Sequence, residues 1–222
     1  MIEVKNLYKI FNQNRKNEFT ALENVSLFIP KEQIILLKGV SGSGKSTLLS
    51  IISSLQKPTS GDVIVDGEHI AKLPDLHASK FRNEKIGYVF QDFNLINSLN
   101  VFHNVMTPLI VQNLSKDEIK AKVINALSLA NIKHKKDEFV SNLSGGEKQR
   151  VAIARALVCD ANILLFDEPT ANLDKQNSLK FLSLLEDFKK LKKTVIIATH
   201  DSIFEQSNVI FETINMQDGK IV

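Results

Sequence analysis

Residues Gly39-Val40-Ser41-Gly42-Ser43-Gly44-Lys45-Ser46-Thr47 constrain this chain more than any other stretch. They fill the Walker A pattern G-x-x-x-x-G-K-[ST], with the apolar run Ile34-Ile35-Leu36-Leu37 before it and Leu48-Leu49-Ser50-Ile51-Ile52 after it. Strand, glycine-rich loop and helix therefore come in the order that a phosphate-binding loop requires. Glycines let the backbone turn successive N–H groups inward, and the helix adds its positive dipole end to the same concavity. A polyphosphate is the expected occupant. Lys45 is placed against its β- and γ-phosphates as a point charge, and the Ser46 hydroxyl as one ligand of an octahedral Mg²⁺.

Two further stretches carry chemistry. Ile163-Leu164-Leu165-Phe166-Asp167-Glu168 reads as a buried strand ending in two carboxylates. Ligands gather at the carboxyl ends of parallel strands, so Asp167 is placed to hold Mg²⁺ through water. Glu168, one peptide further, is placed to activate the water that attacks a γ-phosphate. The other stretch is Leu143-Ser144-Gly145-Gly146-Glu147-Lys148-Gln149-Arg150. Ser144 can cap a helix that starts at Gly145, and the two glycines leave backbone amides and the helix dipole open to an anion. The chain thus has a second phosphate site, although Walker A already serves one nucleotide.

The rest of the chain supplies a frame for these motifs. At 222 residues it suits one large domain or two small ones, and 43% hydrophobic with 24% charged residues is an ordinary globular composition. A net charge of +3 neither demands nucleic acid nor excludes an anionic membrane surface. The single cysteine, Cys159, cannot close an intrachain disulfide, which points to a reducing compartment. No apolar run approaches the ~18 residues of a membrane span, and Met1-Ile2-Glu3-Val4-Lys5 lacks the order of a signal peptide. Strands are expected at 2–11, 21–29, 62–66, 86–90, 162–166, 194–198, 209–214 and 220–222. Helical patterning runs over about 98–130, with Ser115-Lys116-Asp117-Glu118 as a capping box, over 145–158, and from the Asp174 cap to about Lys190.

Together the motifs resemble the nucleotide-binding subunit of an ATP-binding cassette (ABC) transporter, over nearly the whole chain. Leu143 to Gln149 matches the family's signature, Gln91 its Q-loop, Ala171-Asn172-Leu173-Asp174 its D-loop and His200 its H-loop switch. The resemblance implies an α/β P-loop NTPase cassette with a mainly parallel core sheet, an N-terminal antiparallel β subdomain and an α-helical subdomain. Residues 1–222 would form one domain, with the helical part inserted at about 92–158. ATP and Mg²⁺ are the implied ligands, and ATP hydrolysis coupled to transport is the implied reaction. Lys45, Glu168 and His200 are then catalytic, and Ser46, Gln91 and Asp167 hold the metal. Phe11, Gly39 through Thr47, Gln91, Ser144, Gly145, Gly146 and Asp174 bind nucleotide, with Phe11 stacking on adenine where the family more often has tyrosine.

In this family two subunits pair head to tail on binding ATP, so Ser144 and Gly146 of one meet the γ-phosphate held by Walker A of the other. The implied partner is a separate transmembrane permease, sensed through Gln91, and the implied location is cytoplasmic, peripheral on the inner face of the cell membrane. Direct nucleic-acid binding is not expected. The polar insert before Ala21-Leu22, the stretch Gln91-Asp92-Phe93-Asn94-Leu95, and Asn172-Leu173-Asp174 are similar to the lipoprotein-release, macrolide-export and cell-division branch. Phe166, Ala171 and Val140 depart from that branch, which often has Ala, Gly and Pro there. The alternative from another class is an ABC-type ATPase acting on nucleic acid or the ribosome; those relatives usually carry coiled coils, zinc modules or paired cassettes, which this sequence lacks. No regulatory domain is expected after the last strand. Phe93, Leu95, Ile96, Leu99 and Val101 exceed what one amphipathic face needs, so part of that surface is expected to be a groove for a permease helix.

Overall fold

A computed structural model describes the backbone of residues 1–222 and every side chain except that of Gln206. β1 (Ile2–Phe11) and β2 (Phe19–Ile29) pair antiparallel, β3 (Ile34–Lys38) leads through the glycine loop into α1 (Lys45–Ile52), and β4 (Ser60–Val65) and β5 (Glu68–His69) return to the first pair. Next come α2 (Asp75–Lys85), β6 (Ile86–Val89), α3 (Val101–Met106), α4 (Lys116–Leu129) and α5 (Gly145–Leu157). The chain closes with β7 (Ile163–Asp167), α6 (Lys175–Lys190), β8 (Thr194–Thr199), β9 (Glu212–Gln217) and β10 (Lys220–Ile221). Among the described residues the strands make two sheets, an antiparallel one ordered β2-β1-β4-β5 and a larger one ordered β10-β9-β3-β8-β7-β6. The larger sheet is parallel from β9 to β6, with β10 antiparallel on its edge.

The runs without polar interruption are the strands covered on both faces, as parallel sheets require. Successive side chains point to opposite faces, so one strand feeds two cores. Ile34, Leu36, Leu164, Phe166, Val195 and Ile197 pack with α3 to α6. Their neighbours Ile35, Leu37, Ile163, Leu165, Ile196 and Ala198 pack with α1 and the antiparallel sheet.

Several element boundaries differ from the sequence reading. The helical stretch expected over 98–130 breaks into α3, a single 3-10 turn at Thr107–Leu109 and, after a loop, α4. Pro108 lacks the N–H that a continuing helix needs, and Ser115 starts the new helix with both hydrogen bonds of its capping box. α2 was not expected at all; only Ala78 and Phe81 of its residues are buried, too few to show a period. The last long strand begins at Glu212, three residues beyond Val209, and turns through Asp218-Gly219, both with positive φ (49° and 77°), into β10. Among the described residues no helix is long and apolar enough to cross a membrane.

β6 and α5 approach so closely that a Cβ on Gly87 would lie 2.4 Å from the Ala156 carbonyl oxygen. Gly87→Ala is therefore expected to cost about 1–3 kcal/mol, the usual cost of overpacking. Urea unfolding measures it, and an unchanged midpoint would show that the helix can move away freely.

Candidate active site

The loop between β3 and α1 is shaped by its glycines. Gly42 and Gly44 are left-handed (φ 83° and 98°), and Gly44 is the N-cap of α1. A side chain at Gly39 would sit 2.3 Å from the Met216 carbonyl oxygen, so β9 forbids one there. Lys45 is 4% exposed; its ammonium donates to the carbonyls of Gly39 (2.7 Å) and Val40 (3.0 Å) and lies 3.5 Å from Glu168 Oε1. Ser43 Oγ is buried with no protein partner. Ser41 through Thr47 line a cavity of about 190 Å³ together with Phe19, Ala21, Gln91 and Glu168. Gly39 and Val40 face the other way, into a cleft that also receives His200.

The carboxylates arrive from β7, and β8 beside it orients them. Asp167, 8% exposed, accepts from the Ser46 hydroxyl at 2.8 Å. Burial raises its carboxyl pKa and the Glu168 charge adds to this, against the Ser46 hydrogen bond and Lys45. Tyr88 on β6 stands beside Asp167 and Ser50, and burial pushes its phenol upward. Glu168 is left-handed (φ 46°), its N–H tied to the Ala198 carbonyl at 2.8 Å. That turn swings its carboxylate back over the strand end, where Oε2 accepts from Thr199 Oγ1 at 3.0 Å. His200 Nδ1 lies 3.0 Å from the same oxygen. Asp201 anchors this corner, accepting from Thr170 Oγ1 at 2.7 Å and donating its N–H to Thr199 Oγ1 at 3.0 Å.

Ser144 caps α5 as its sequence suggested. Its Oγ accepts from the Glu147 N–H at 3.4 Å, and Glu147 Oε2 accepts from the Ser144 N–H at 2.9 Å, which with the Ser144 hydroxyl holds the Glu147 carboxyl below its usual range. Gly146 backs onto α6, where a Cβ would meet Asn177 at 2.8 Å. Asp174 caps α6, accepting from the Asn177 N–H at 2.8 Å. Ser144, Gly145, Gly146 and Asp174 thus form one cluster, and none of them lines the cavity around Lys45.

Phe19 is the aromatic residue on the cavity wall; Phe11 lies behind it, opposite in the β1–β2 register, with ring centroids 6.3 Å apart and planes within 11°. The base-stacking role given to Phe11 therefore has a nearer claimant that an exposed phenylalanine at a strand start did not announce. Tyr88 and Thr199 were missed too, because only strand pairing brings them in. Of the residues expected to supply part of a groove, Phe93, Leu95, Ile96, Leu99 and Val101, Ile96 stays exposed while others turn inward. Phe93 and Val101 are core, because the left-handed turn at Phe93 and Asn94 (φ 60° and 46°) turns the ring inward, and Leu95 packs on that core. The open cleft lies alongside, about 410 Å³, lined by Tyr88, Phe90, Asn94, Pro108, Val111 and Arg155 among others.

The donor set fits a polyphosphate with a hard cation. The Lys45 ammonium and the spare Ser43 hydroxyl suit phosphate oxygens, while Ser46 and Asp167 offer oxygen ligands. Among the described residues no group of three or more His, Cys, Asp or Glu could hold a metal, and Mg²⁺ needs none, since it keeps several waters and leans on substrate phosphates.

Comparisons with known proteins agree. The sequence profile described as "ABC transporter" matches residues 22–171. The methionine import ATP-binding protein MetN of Escherichia coli strain K12 is 45% identical over 202 residues, covering 90% of this chain. MetN of Shigella flexneri matches equally. The chain spans 58% of the length of these curated relatives. A dimeric structure of the ATP-binding cassette MJ0796, in a post-hydrolysis state with ADP and Pi, superposes with TM-score 0.90 at 37% identity, covering 100% of this chain and 96% of that one. cbiO1 from Clostridium perfringens, part of the transporter complex cbiONQ, gives 0.86 at 32% identity, with 100% and 86% covered. With its nucleotide loop, paired carboxylates and signature helix in place, the chain belongs to the ABC transporter family and has that family's ATP-binding cassette fold.

Proposed function

We propose that this chain is the ATP-binding and ATP-hydrolysing subunit of a membrane transporter, one cassette over residues 1–222 that drives a separate permease by pairing with a second copy of itself. The observation that carries the reading is the placement of Glu168. Its carboxylate stands at the wall of the phosphate cavity, with one oxygen held by Thr199 and faced by His200 and the other facing Lys45. Glu168 is the base that takes the proton of the attacking water, and Thr199 and His200 fix its orientation. Lys45 and the amides of Ser41 to Thr47 hold the phosphates, and Phe19 with Phe11 behind it offers a face to the base. Mg²⁺ would be held by Ser46, Asp167 and Gln91, and when bound it offsets the charge of the phosphate oxygens.

The signature cluster supports the dimer. Ser144 and Gly145 are exposed, at the start of a capped helix that does not line the chain's own cavity, and would complete the phosphate site of a second chain. The cleft at Tyr88, Phe90 and Pro108 supports a permease seat there, with the subunit peripheral on the cytoplasmic face of the membrane. Residues at the site handle phosphate, cation and base, so cargo and direction lie with the permease. The two MetN relatives are named as ATP-binding proteins of methionine import, whereas the sequence resemblance favours the release, export and division branch. Hydrolysis of Mg-ATP by the purified chain should rise more steeply than linearly with protein concentration in the micromolar range. Strictly linear activity down to the lowest measurable concentration would mean a site complete in one chain.

A further inference from the structure

We propose that Arg155 is a positioning residue that ties the Gln91 loop to the signature helix, so that the two shift as one unit when the permease cleft is loaded. The proposal rests on the ATPase reading above and adds a residue to it. Arg155 sits in the last turn of α5 and lines that cleft. Its guanidinium does not bond to its own helix end, where a cation would merely suit the dipole. It crosses to another segment, donating from Nη1 to the Asn94 carbonyl at 2.6 Å and from Nη2 to the Phe93 carbonyl at 2.5 Å. A planar fork can grip two consecutive carbonyls only if both point the same way. Phe93 and Asn94 meet that condition because both are left-handed, a conformation that a bulky residue keeps only with outside support. The Phe93 ring, buried in the core, gives part of that support, and Arg155 gives the rest. Among the described residues no carboxylate pairs with Arg155, so these carbonyls are its counterpart.

The same loop is held from the other side. Asn172 donates from Nδ2 to the Gln91 carbonyl at 3.1 Å, and its own carbonyl lies 3.1 Å from where a Cβ on Gly145 would be. The Gln91 loop is thus bonded by Arg155 at the cleft end of α5 and by Asn172, whose carbonyl lies against the other end of the helix at Gly145. α5 is a continuous helix of 13 residues, with Gln149 tied to the Pro169 carbonyl at 2.8 Å, so a push at one end reaches the other.

Arg155→Gln and Arg155→Lys, each beside the wild-type chain, test this through three readouts: binding of a fluorescent ATP analogue, steady-state Mg-ATP hydrolysis, and amide hydrogen exchange. Arg155→Gln should bind the analogue within about threefold of wild type while kcat falls about tenfold or more with KM little changed. Exchange over residues 91–96 should rise about tenfold while β7 and the rest of α5 stay protected. Arg155→Lys, keeping the charge but losing the fork, should fall between the two and remains informative if the Gln variant fails to fold. Wild-type kcat or unchanged protection at 91–96 overturns the proposal. So does a uniform loss of protection through α5 and the sheet, which would make Arg155 a packing residue only. If the wild-type chain itself hydrolyses no ATP, the ATPase reading has failed, and exchange at 91–96 still decides whether Arg155 holds the loop.

Discussion

Glu168→Gln is expected to cut ATP hydrolysis by roughly 10²- to 10⁴-fold, the usual worth of a positioned base. The exchange keeps the shape and an acceptor for Thr199 Oγ1, so the corner built by Thr199, Asp201 and Thr170 should persist. What disappears is the negative charge 3.5 Å from Lys45 and the capacity to take a proton. Nucleotide binding should survive, because the phosphates meet Lys45 and loop amides, and ATP should then hold two chains together. Phosphate release and size-exclusion chromatography with Mg-ATP check both halves. Unchanged hydrolysis with a monomer peak would remove Glu168 from the role of base.

Lys45→Ala should act on binding itself. A hydrogen bond to a charged group contributes about 1.5–3 kcal/mol, so loss of this ammonium should weaken ATP affinity by roughly 10- to 150-fold. The fold should tolerate the change: the Gly39 and Val40 carbonyls that Lys45 occupies are at least partly exposed and can turn to water. Titration with a fluorescent ATP analogue gives the affinity and a melting curve reports the fold. Normal affinity in a folded variant would contradict the phosphate-loop assignment. The two substitutions separate cleanly, one leaving a chain that binds and does not turn over, the other a chain that scarcely binds.

How much of this was legible in the sequence depended on what each residue must do locally. The phosphate loop could be read because its glycines answer backbone demands, at Gly42 and Gly44 by left-handed φ and at Gly39 by the nearness of β9. β7 and β8 could be read because every residue in them is buried. The caps at Ser115, Ser144 and Asp174 could be read because a cap is complete within four residues. Phe19 could not, since its place on the cavity wall follows from register with Phe11 across a hairpin. The cleft at Tyr88, Phe90 and Pro108 could not either. Phe93 looked like surface until two consecutive left-handed residues turned it inward, and side-chain periodicity carries no trace of such a turn. α2 was invisible because a mostly solvated helix needs few apolar positions.

The alternation of strand side chains between two cores has a thermodynamic consequence. Leu164 and Leu165 are sequence neighbours on opposite sides of one wall, and the same holds for Leu36 and Leu37 and for Ile196 and Ile197. Neither core can melt while leaving the other dry, because losing either one strips a face of the same sheet. Heat or denaturant thus meets a single cooperative unit, in which a methylene lost from one core weakens the hold of the whole chain on its folded form.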